Sequence, residues 1–136
     1  MKIQVALAKS DHGTAWIVAR DKRGRYLIGK RGPTSNNAGQ WGFLGGGVDA
    51  GEEYAEAAAR EGNEEAGIVI ESSDLHEATI SLDGHSIWFE LFKKIDPVPT
   101  DEVVQFKWVE PYNMHKYKLH KSVKDYFINL VHGLTV

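Results

Sequence analysis

The chain has 136 residues, of which 42% are hydrophobic and 26% charged, and its formal net charge is −3. This composition predicts a single globular domain over residues 1–136 and argues against disorder. The negative charge offers no general attraction to nucleic acid or to an anionic membrane. The absence of cysteine excludes disulfides and thiolate chemistry, and it is consistent with a cytoplasmic location.

Neither a leader nor a membrane segment is expected. The chain begins MKIQVALAKS, where the apolar run is too short for a signal sequence. No later run approaches the length that spans a bilayer. We therefore predict a protein without a membrane partner.

Short apolar, β-branched and aromatic runs recur along the chain. Turn signals such as DHG, DKRG and LDG separate them, which is typical of strands joined by turns. The predicted strands are residues 3–8, 14–19, 26–29, 68–70, 78–82, 87–92 and 103–109.

The first predicted helix spans residues 53–66 and is rich in alanine and glutamate. Asp49 and Glu52 have the spacing of a capping box before it. Gly67 follows the helix and is predicted to end it in the left-handed conformation.

A second helix is predicted over residues 121–132, where apolar side chains recur at helical spacing. Ser122 and Asp125 suggest its cap. Strands before and after an internal helix, with another helix at the end, predict a mixed α/β sandwich.

Three carboxylates crowd the end of the first predicted helix, in the stretch REGNEEA. At about 100° per residue, Glu61, Glu64 and Glu65 share one helix face. Each pair at this spacing costs about 0.2–0.5 kcal/mol, and the helix dipole opposes each carboxylate by about 0.3–1 kcal/mol. Bound Mg²⁺ or Mn²⁺ would reverse both penalties, because these ions prefer hard oxygen ligands. The alternative is a solvated acidic face that water and salt screen.

The residues before this helix make the pattern specific. Three consecutive glycines occur in WGFLGGGVDAGEE, where backbone can approach a ligand closely. The full spacing resembles the Nudix hydrolase signature G-x5-E-x7-R-E-U-x-E-E-x-G-U, in which U is apolar. The stretches WIVARDKRGRYLIGKR and QFKWVEPYNM extend the resemblance over most of the chain. The matching positions are Gly46, Glu52, Arg60, Glu61, Glu64, Glu65, Gly67 and Ile68.

This resemblance implies a Nudix α/β/α sandwich with a mixed β-sheet and a C-terminal helix. The signature would form a loop-helix-loop that holds Mg²⁺ or Mn²⁺. It also implies hydrolysis of a nucleoside diphosphate linked to another group.

By the same resemblance, Glu61 and Glu65 are the first candidate metal ligands. Glu64 follows them, and the backbone carbonyl of Gly46 would assist. Glu61 or Glu64 could instead take the proton of the attacking water as the general base.

Further charged residues belong to the predicted site. Arg60 is expected to orient a glutamate through a charge-assisted pair, with Glu52 as its partner, although it could also be an ordinary surface charge. Glu102 lies six residues before Trp108, an offset at which some family members carry another metal-binding glutamate. The alternative for Glu102 is a polar turn.

Candidate substrate-binding residues lie outside the signature. Lys30 and Arg31 end the second strand of the hairpin WIVARDKRGRYLIGKR and could reach substrate phosphates, as basic residues in this region do in the family; solvated strand-end charges are the alternative. Trp41 offers a ring that could stack a base or pack in the core. His120 precedes the last helix, where a family member that reads a purine uses a polar side chain; an ordinary surface role is the alternative.

Two positions depart from the family pattern. Leu44 replaces a proline, which removes rigidity but no ligand. Gly62 occupies a core-facing apolar position, where an interior helical glycine costs about 1 kcal/mol relative to alanine. We expect a neighbouring side chain to fill the space that Gly62 leaves.

The substrate predicted by elimination is a nucleoside triphosphate, hydrolysed to a nucleoside monophosphate and pyrophosphate. A nucleotide sugar is the alternative substrate, since the loop RGPTSNNAGQW could shape a sugar pocket. A non-catalytic nucleotide-binding module is the alternative from another class. Many Nudix proteins are dimers, so a homodimer is possible, although no segment marks an interface.

Overall fold

The computed structural model describes residues 13–133, in which four strands precede the first helix and three more precede the second. None of the helices in this range is long and apolar enough to cross a membrane. Short 3-10 turns at Ser72–Asp74 and Pro111–Lys116 join longer elements. The predicted strand at residues 3–8 lies outside the described residues. The elements are β1 (Thr14–Ala19), β2 (Tyr26–Arg31), β3 (Trp41–Gly42), β4 (Leu44–Gly47), α1 (Tyr54–Ala66), β5 (Leu75–Ile80), β6 (Ser86–Leu91), β7 (Val103–Val109) and α2 (Lys121–Val131).

The strands form two sheets. A four-stranded sheet has the order β4-β1-β6-β5, and a three-stranded sheet has the order β3-β2-β7. β1 runs parallel to β6, whereas the other pairs are antiparallel. The predicted mixed sheet is therefore confirmed, beside a second sheet that is antiparallel.

Both faces of β1 are buried. Ala15 and Ile17 pack in the core that includes α1, whereas Trp16 and Val18 pack in the core that includes α2. A strand covered on both sides is apolar throughout rather than alternating, which explains the run AWIVA. The predicted sandwich of helix, sheet and helix is confirmed.

α1 begins close to the predicted residue, but its cap differs from the prediction. Glu53 is the N-cap, and its N–H donates to the Glu56 carboxylate at 2.8 Å. The Asp49 N–H donates to Glu52 at 2.9 Å, one turn before the helix. The predicted Asp49–Glu52 cap is wrong because residues 50–51 form a turn instead of starting the helix. Gly67 ends α1 with φ 65°, as predicted.

α2 is also capped by a different residue. The His120 side chain accepts from the Ser122 N–H at 3.0 Å and caps the helix. The Ser122 hydroxyl instead accepts from the Phe43 N–H at 3.2 Å, and Asp125 pairs with Lys121 at 3.8 Å. The predicted cap is wrong because Ser122 already lies inside the helix.

Several predicted strand boundaries change in the structure, and β2 extends to Arg31, two residues beyond the predicted end. Residues 68–70 form no strand: Ile68 is buried, but Val69 is 79% exposed and the segment leaves α1 as irregular chain. β5 begins three residues earlier than predicted, and Leu82 lies beyond it with 87% of its surface exposed. Phe92 follows β6 and is 66% exposed. Apolar composition alone therefore extended these strands too far.

The glycine-rich segment forms strands that the sequence did not indicate. β4 contains Gly45, Gly46 and Gly47 and pairs with β1 through its backbone. Gly45 has φ 148°, and a Cβ there would collide with the carbonyl oxygen of Ala15. Glycine lowers strand propensity, so the prediction missed β4, although only glycine fits this register.

Two isoleucines fill the space beside Gly62. A Cβ at this buried glycine would lie 3.0 Å from the Cδ1 atoms of both Ile17 and Ile68. The prediction that a neighbouring side chain fills the space is confirmed. α1 therefore packs closely on β1 without an apolar side chain at this position.

Replacing Gly62 with leucine should destabilise the fold by about 1–3 kcal/mol, because the larger side chain overpacks the contact with Ile17 and Ile68. Urea unfolding gives the free-energy change. Ile68→Ala alone should cost about 2–5 kcal/mol. The double variant should cost clearly less than the sum of the two, because leucine then occupies the vacated space. Strictly additive costs would contradict this packing.

Candidate active site

Three carboxylates converge at the C-terminal part of α1. One oxygen each from Glu61, Glu64 and Glu102 lies within 4.8 Å of the other two. Glu61 and Glu64 come from α1, whereas Glu102 lies in the turn before β7. Oxygens this close can bind one divalent cation together.

Gly46 places β4 directly against this cluster. A Cβ at Gly46 would lie 2.9 Å from the carboxyl carbon of Glu61 and 3.0 Å from one of its oxygens. Only glycine therefore lets the backbone approach the carboxylate so closely. A donor set of carboxylate oxygens beside an accessible backbone fits Mg²⁺ or Mn²⁺.

Glu65 is buried and connects three elements. Its side chain is 2% exposed; Oε1 accepts from the Gly45 N–H at 2.8 Å, and Oε2 accepts from Arg31 at 3.1 Å. Burial raises the pKa of Glu65 to about 8, and the charges of Glu61 and Glu102 act in the same direction. The bond from Gly45 and the charge of Arg31 oppose this rise. Glu65 thus joins α1 to β4 and β2.

Arg60 organises the outer side of the cluster. Its Nε and Nη2 donate to the two oxygens of Glu52 at 2.8 and 3.0 Å, which is a bidentate pair. Nη1 donates to Glu61 at 3.1 Å, and Nη2 donates to the Gly47 carbonyl at 3.0 Å. The bond from Arg60 lowers the pKa of Glu52. Arg60 therefore holds the Glu61 side chain next to β4.

Glu61 is the half-buried member of the cluster. Burial raises its pKa, Arg60 opposes the rise, and the neighbouring charges of Glu64 and Glu102 add to it. A carboxylate with a raised pKa accepts a proton more readily near neutral pH. The Glu61 carboxylate is therefore a better proton acceptor than an exposed glutamate.

A cavity of about 530 Å³ lies beside the N-terminus of α2. Trp16 and Trp88 line it, together with the polar side chains of Asn37, Gln40 and His120. Trp16 and Trp88 are direct neighbours in the parallel pairing of β1 with β6. An indole in the wall with polar groups around it is suited to a flat aromatic ligand.

His120 is fixed within this cavity. Nδ1 accepts from the Ser122 N–H at 3.0 Å, Nε2 lies 3.3 Å from the amide nitrogen of Asn37, and the ring centroid lies 5.4 Å from that of Trp16. Burial lowers the pKa of His120 to about 4, and the positive charge of Arg31 adds to this. His120 is therefore neutral near pH 7.

Arg31 lies between the carboxylates and the cavity. Its guanidinium donates to Glu65, and its central carbon is 6.0 Å from the Trp16 ring. Lys30 precedes it on β2 and pairs with Gln105 and Trp41 without lining the cavity. Arg31 does not line the cavity either, but its guanidinium contacts both the Glu65 carboxylate and the ring of Trp16, which does line it.

Trp41 does not line the cavity. Its ring packs against Tyr117 at 5.3 Å between centroids, and the ammonium of Lys107 lies 5.8 Å from the Trp41 ring. The Trp41 carbonyl accepts from the His120 N–H at 2.7 Å. Trp41 thus holds the backbone of His120 in place without lining the cavity. Trp16, which was not predicted from the sequence, lies in the cavity wall instead. Trp16 reaches the cavity wall through the parallel register of β1 and β6, which places it beside Trp88. The sequence alone does not reveal this register.

The chain matches the NUDIX domain over residues 11–131 and belongs to this family. It is similar to a MutT protein from Methanosarcina mazei Go1, with 25% identity, a TM-score of 0.71, and coverage of 94% of this chain and 98% of that one. A Nudix hydrolase from M. smegmatis shares 22% identity with a TM-score of 0.68, covering 91% and 86% respectively. An Ap4A hydrolase from C. elegans shares 21% identity with a TM-score of 0.59, covering 89% and 99%. No curated protein sequence gives a significant match.

The family membership confirms the resemblance drawn from the signature. The chain is a pyrophosphohydrolase of the Nudix type. Nudix hydrolases act on nucleoside diphosphates linked to another group and generally depend on a divalent metal.

The Arg60 pair predicts a pH-dependent stability difference between the wild type and Glu52→Gln. At about pH 7 the variant should be less stable by about 1–2 kcal/mol, because it loses a charge-assisted bidentate pair. The folded-state pKa of Glu52 lies below its ordinary value of 4.5. The pair's contribution is therefore present above that value and is lost as the pH falls through the folded pKa.

Urea unfolding at about pH 7 and about pH 3 measures this difference. At the lower pH the unfolded chain takes up the proton that the Arg60 pair makes folded Glu52 resist, so the gap should narrow. Glu77→Gln, at an exposed position of β5, is the control for removing one negative charge. A gap that stays constant with pH would contradict the assignment.

Proposed function

We propose that this protein hydrolyses nucleoside triphosphates to nucleoside monophosphates and pyrophosphate. The observation that carries the proposal is the position of Arg31, which donates to Glu65, one residue after the cluster member Glu64, and lies 6.0 Å from Trp16 in the wall of a cavity that a neutral histidine also lines. A nucleotide has the same two parts, a polyanionic chain and a flat base.

We propose that Glu61, Glu64, Glu65 and Glu102 hold Mg²⁺ or Mn²⁺ with the backbone carbonyl of Gly46. The cation, when bound, neutralises phosphate charge and lowers the pKa of coordinated water. Glu65 keeps free lone pairs for this role, because each of its oxygens accepts one bond in the structure. Its bonds to Gly45 and Arg31 would fix the direction in which it offers them.

We propose Glu61 as the first candidate for general base and Glu64 as the alternative. The water oxygen forms a bond to phosphorus, the bond from phosphorus to the leaving phosphate oxygen breaks, and the carboxylate takes the proton of the water. Arg60 holds Glu61 at 3.1 Å and limits its side-chain freedom. The raised pKa of Glu61 supports its role as proton acceptor.

The base would occupy the cavity against Trp16 and Trp88, with His120 at its polar edge. Arg31 would meet the phosphates between the two halves of the site, with Lys30 next to it on β2 as a second positive charge. Because His120 is neutral, it would recognise a base through hydrogen bonding rather than through charge.

A nucleotide sugar is the second candidate substrate. The loop between β2 and β3 contributes the polar side chains of Asn37 and Gln40 to the cavity wall. Such groups are suited to sugar hydroxyls as well as to a base. Cleavage of a nucleotide sugar would release a nucleoside monophosphate and a sugar phosphate.

Product identity across a nucleotide panel with Mg²⁺ or Mn²⁺ tests the proposed function. Nucleoside triphosphates should give nucleoside monophosphate and pyrophosphate. A sugar phosphate as the dominant product would select the second candidate. A folded protein that releases nothing from any nucleotide would overturn both and favour the non-catalytic module.

Glu65→Gln should lower kcat/KM by about 10²–10³-fold, the range for losing one electrostatic group of an active site. The fold should be retained, because glutamine keeps the shape and the acceptor for the Gly45 N–H. Steady-state turnover and urea unfolding are measured together, with Glu77→Gln as the charge-matched control. Unchanged metal-dependent turnover in Glu65→Gln would reject this residue as an essential ligand.

His120→Asn should weaken binding of a nucleoside monophosphate by about tenfold, because each good hydrogen bond or stacking contact contributes about 1–2 kcal/mol. Asparagine is a strong N-cap, so α2 should keep its start. Pyrophosphate binding should not change. Calorimetry with both ligands tests this, and an equal loss for the two ligands would remove His120 from the base site.

A further inference from the structure

Thr100 fastens the turn that carries Glu102 to the end of α1. Its hydroxyl donates to the backbone carbonyl of Glu65 at 2.7 Å and accepts from the Val103 N–H at 3.2 Å. The Thr100 N–H also donates to the Val103 carbonyl at 2.8 Å, which closes the turn. One hydroxyl therefore binds both the turn and the helix.

The same segment satisfies the backbone at the end of α1. The last carbonyls of a helix have no partner within it. The Val98 N–H donates to the Ala66 carbonyl at 2.8 Å, and Thr100 takes that of Glu65. The last turn of α1 contains no basic residue that could bond these carbonyls instead. Val98 and Thr100 thus complete the helix end from another part of the chain.

A second contact, made by the backbone after β2, also holds the turn that carries Glu102. The Gly32 N–H, just after β2, donates to the Glu102 carbonyl at 2.9 Å. A Cβ at Gly32 would collide with the Asp101 carbonyl oxygen, so the two segments lie in close contact. The backbone around Glu102 is thereby fixed, although its side chain is exposed.

Fixing this turn matters because the Glu102 carboxylate lies among like charges. Its oxygen is within 4.8 Å of oxygens of both Glu61 and Glu64. Without a cation these charges repel, and an unfastened turn would move Glu102 away from α1. The Thr100 bond acts at Glu65, the residue after Glu64, so it sets the separation directly at the acidic turn of the helix.

We propose that Thr100 is a positioning residue of the metal site, which holds Glu102 at ligand distance from the carboxylates of α1. The inference rests on the proposed function in one respect, namely that Glu102 contributes to cation binding. Thr100 itself touches neither the cation nor the substrate. Its hydroxyl acts through the backbone of the turn.

Mn²⁺ binding to the full chain, measured by calorimetry and by electron paramagnetic resonance, tests this role. Thr100→Val keeps the β-branched shape but removes both hydroxyl bonds, and it should weaken Mn²⁺ binding by about tenfold, at the lower end of the effect of residues that orient ligands. Thr100→Ser keeps the hydroxyl and should restore most of the affinity. Thr34→Val, at an exposed loop position, is the matched control and should bind as the wild type does.

A double-variant cycle separates positioning from general stability. In a Glu102→Gln background, adding Thr100→Val should cause little further loss of Mn²⁺ affinity, because the ligand that Thr100 positions has already lost its charge. Equal, additive losses in both backgrounds would overturn the proposal. So would a lowered thermal midpoint of metal-free Thr100→Val without any change in Mn²⁺ affinity.

Nucleotide hydrolysis by the same variants is measured separately from their Mn²⁺ binding. If the wild type binds Mn²⁺ in a Thr100-dependent way but hydrolyses no nucleotide, the proposed function fails and the positioning role stands. If the wild type is active and Thr100→Val binds Mn²⁺ normally, the positioning role fails alone. A wild type that binds no Mn²⁺ overturns the positioning role whatever the nucleotide panel gives.

Discussion

The buried carboxylate of Glu65 is the interaction on which the site depends most. It accepts from the backbone of β4 and from Arg31 of β2, while its own helix carries Glu61 and Glu64. Burying a carboxylate is costly unless its oxygens accept hydrogen bonds. The Gly45 N–H and Arg31 therefore stabilise the buried Glu65, and Glu65 in turn holds both of them in place. Glu65 therefore fixes the positions of β4, β2 and α1 relative to one another.

Positive charge is placed on both sides of that point. Arg60 bonds Glu52 and Glu61 on the outer side, and Arg31 bonds Glu65 on the side of the cavity. Each arginine offsets part of the repulsion among the carboxylates of α1 by pairing with a glutamate at their edge. The two arginines therefore offset part of the cost of bringing these carboxylates together.

Much of this arrangement was predictable from the sequence because it depends on local spacing. The spacing from Gly46 to Gly67 predicts a loop followed by a helix with its carboxylates on one face, and α1 follows that prediction closely. Composition also predicts β1 and β7, whose bounds match the apolar runs. Glycine-rich β4 could not be predicted, since its pairing comes from backbone geometry rather than from side-chain preference.

The cavity was less predictable for a related reason. Trp16 and Trp88 meet through a parallel register between distant strands, and the hydrogen bond from Ser122 to His120 depends on where α2 starts. Thr100 makes a tertiary contact of the same kind, because its hydroxyl donates to a helix carbonyl far away in sequence. Such contacts depend on how elements dock, which spacing within one element does not specify.

The packing around Gly62 has an evolutionary consequence. The volume that an apolar side chain would take at this helix position is supplied here by Ile17 from the sheet and by Ile68 from the segment after the helix. A larger residue at position 62 is then tolerated only together with a smaller one at position 17 or 68. The three positions form an epistatic group, and a mutation acceptable in one sequence background would be harmful in another.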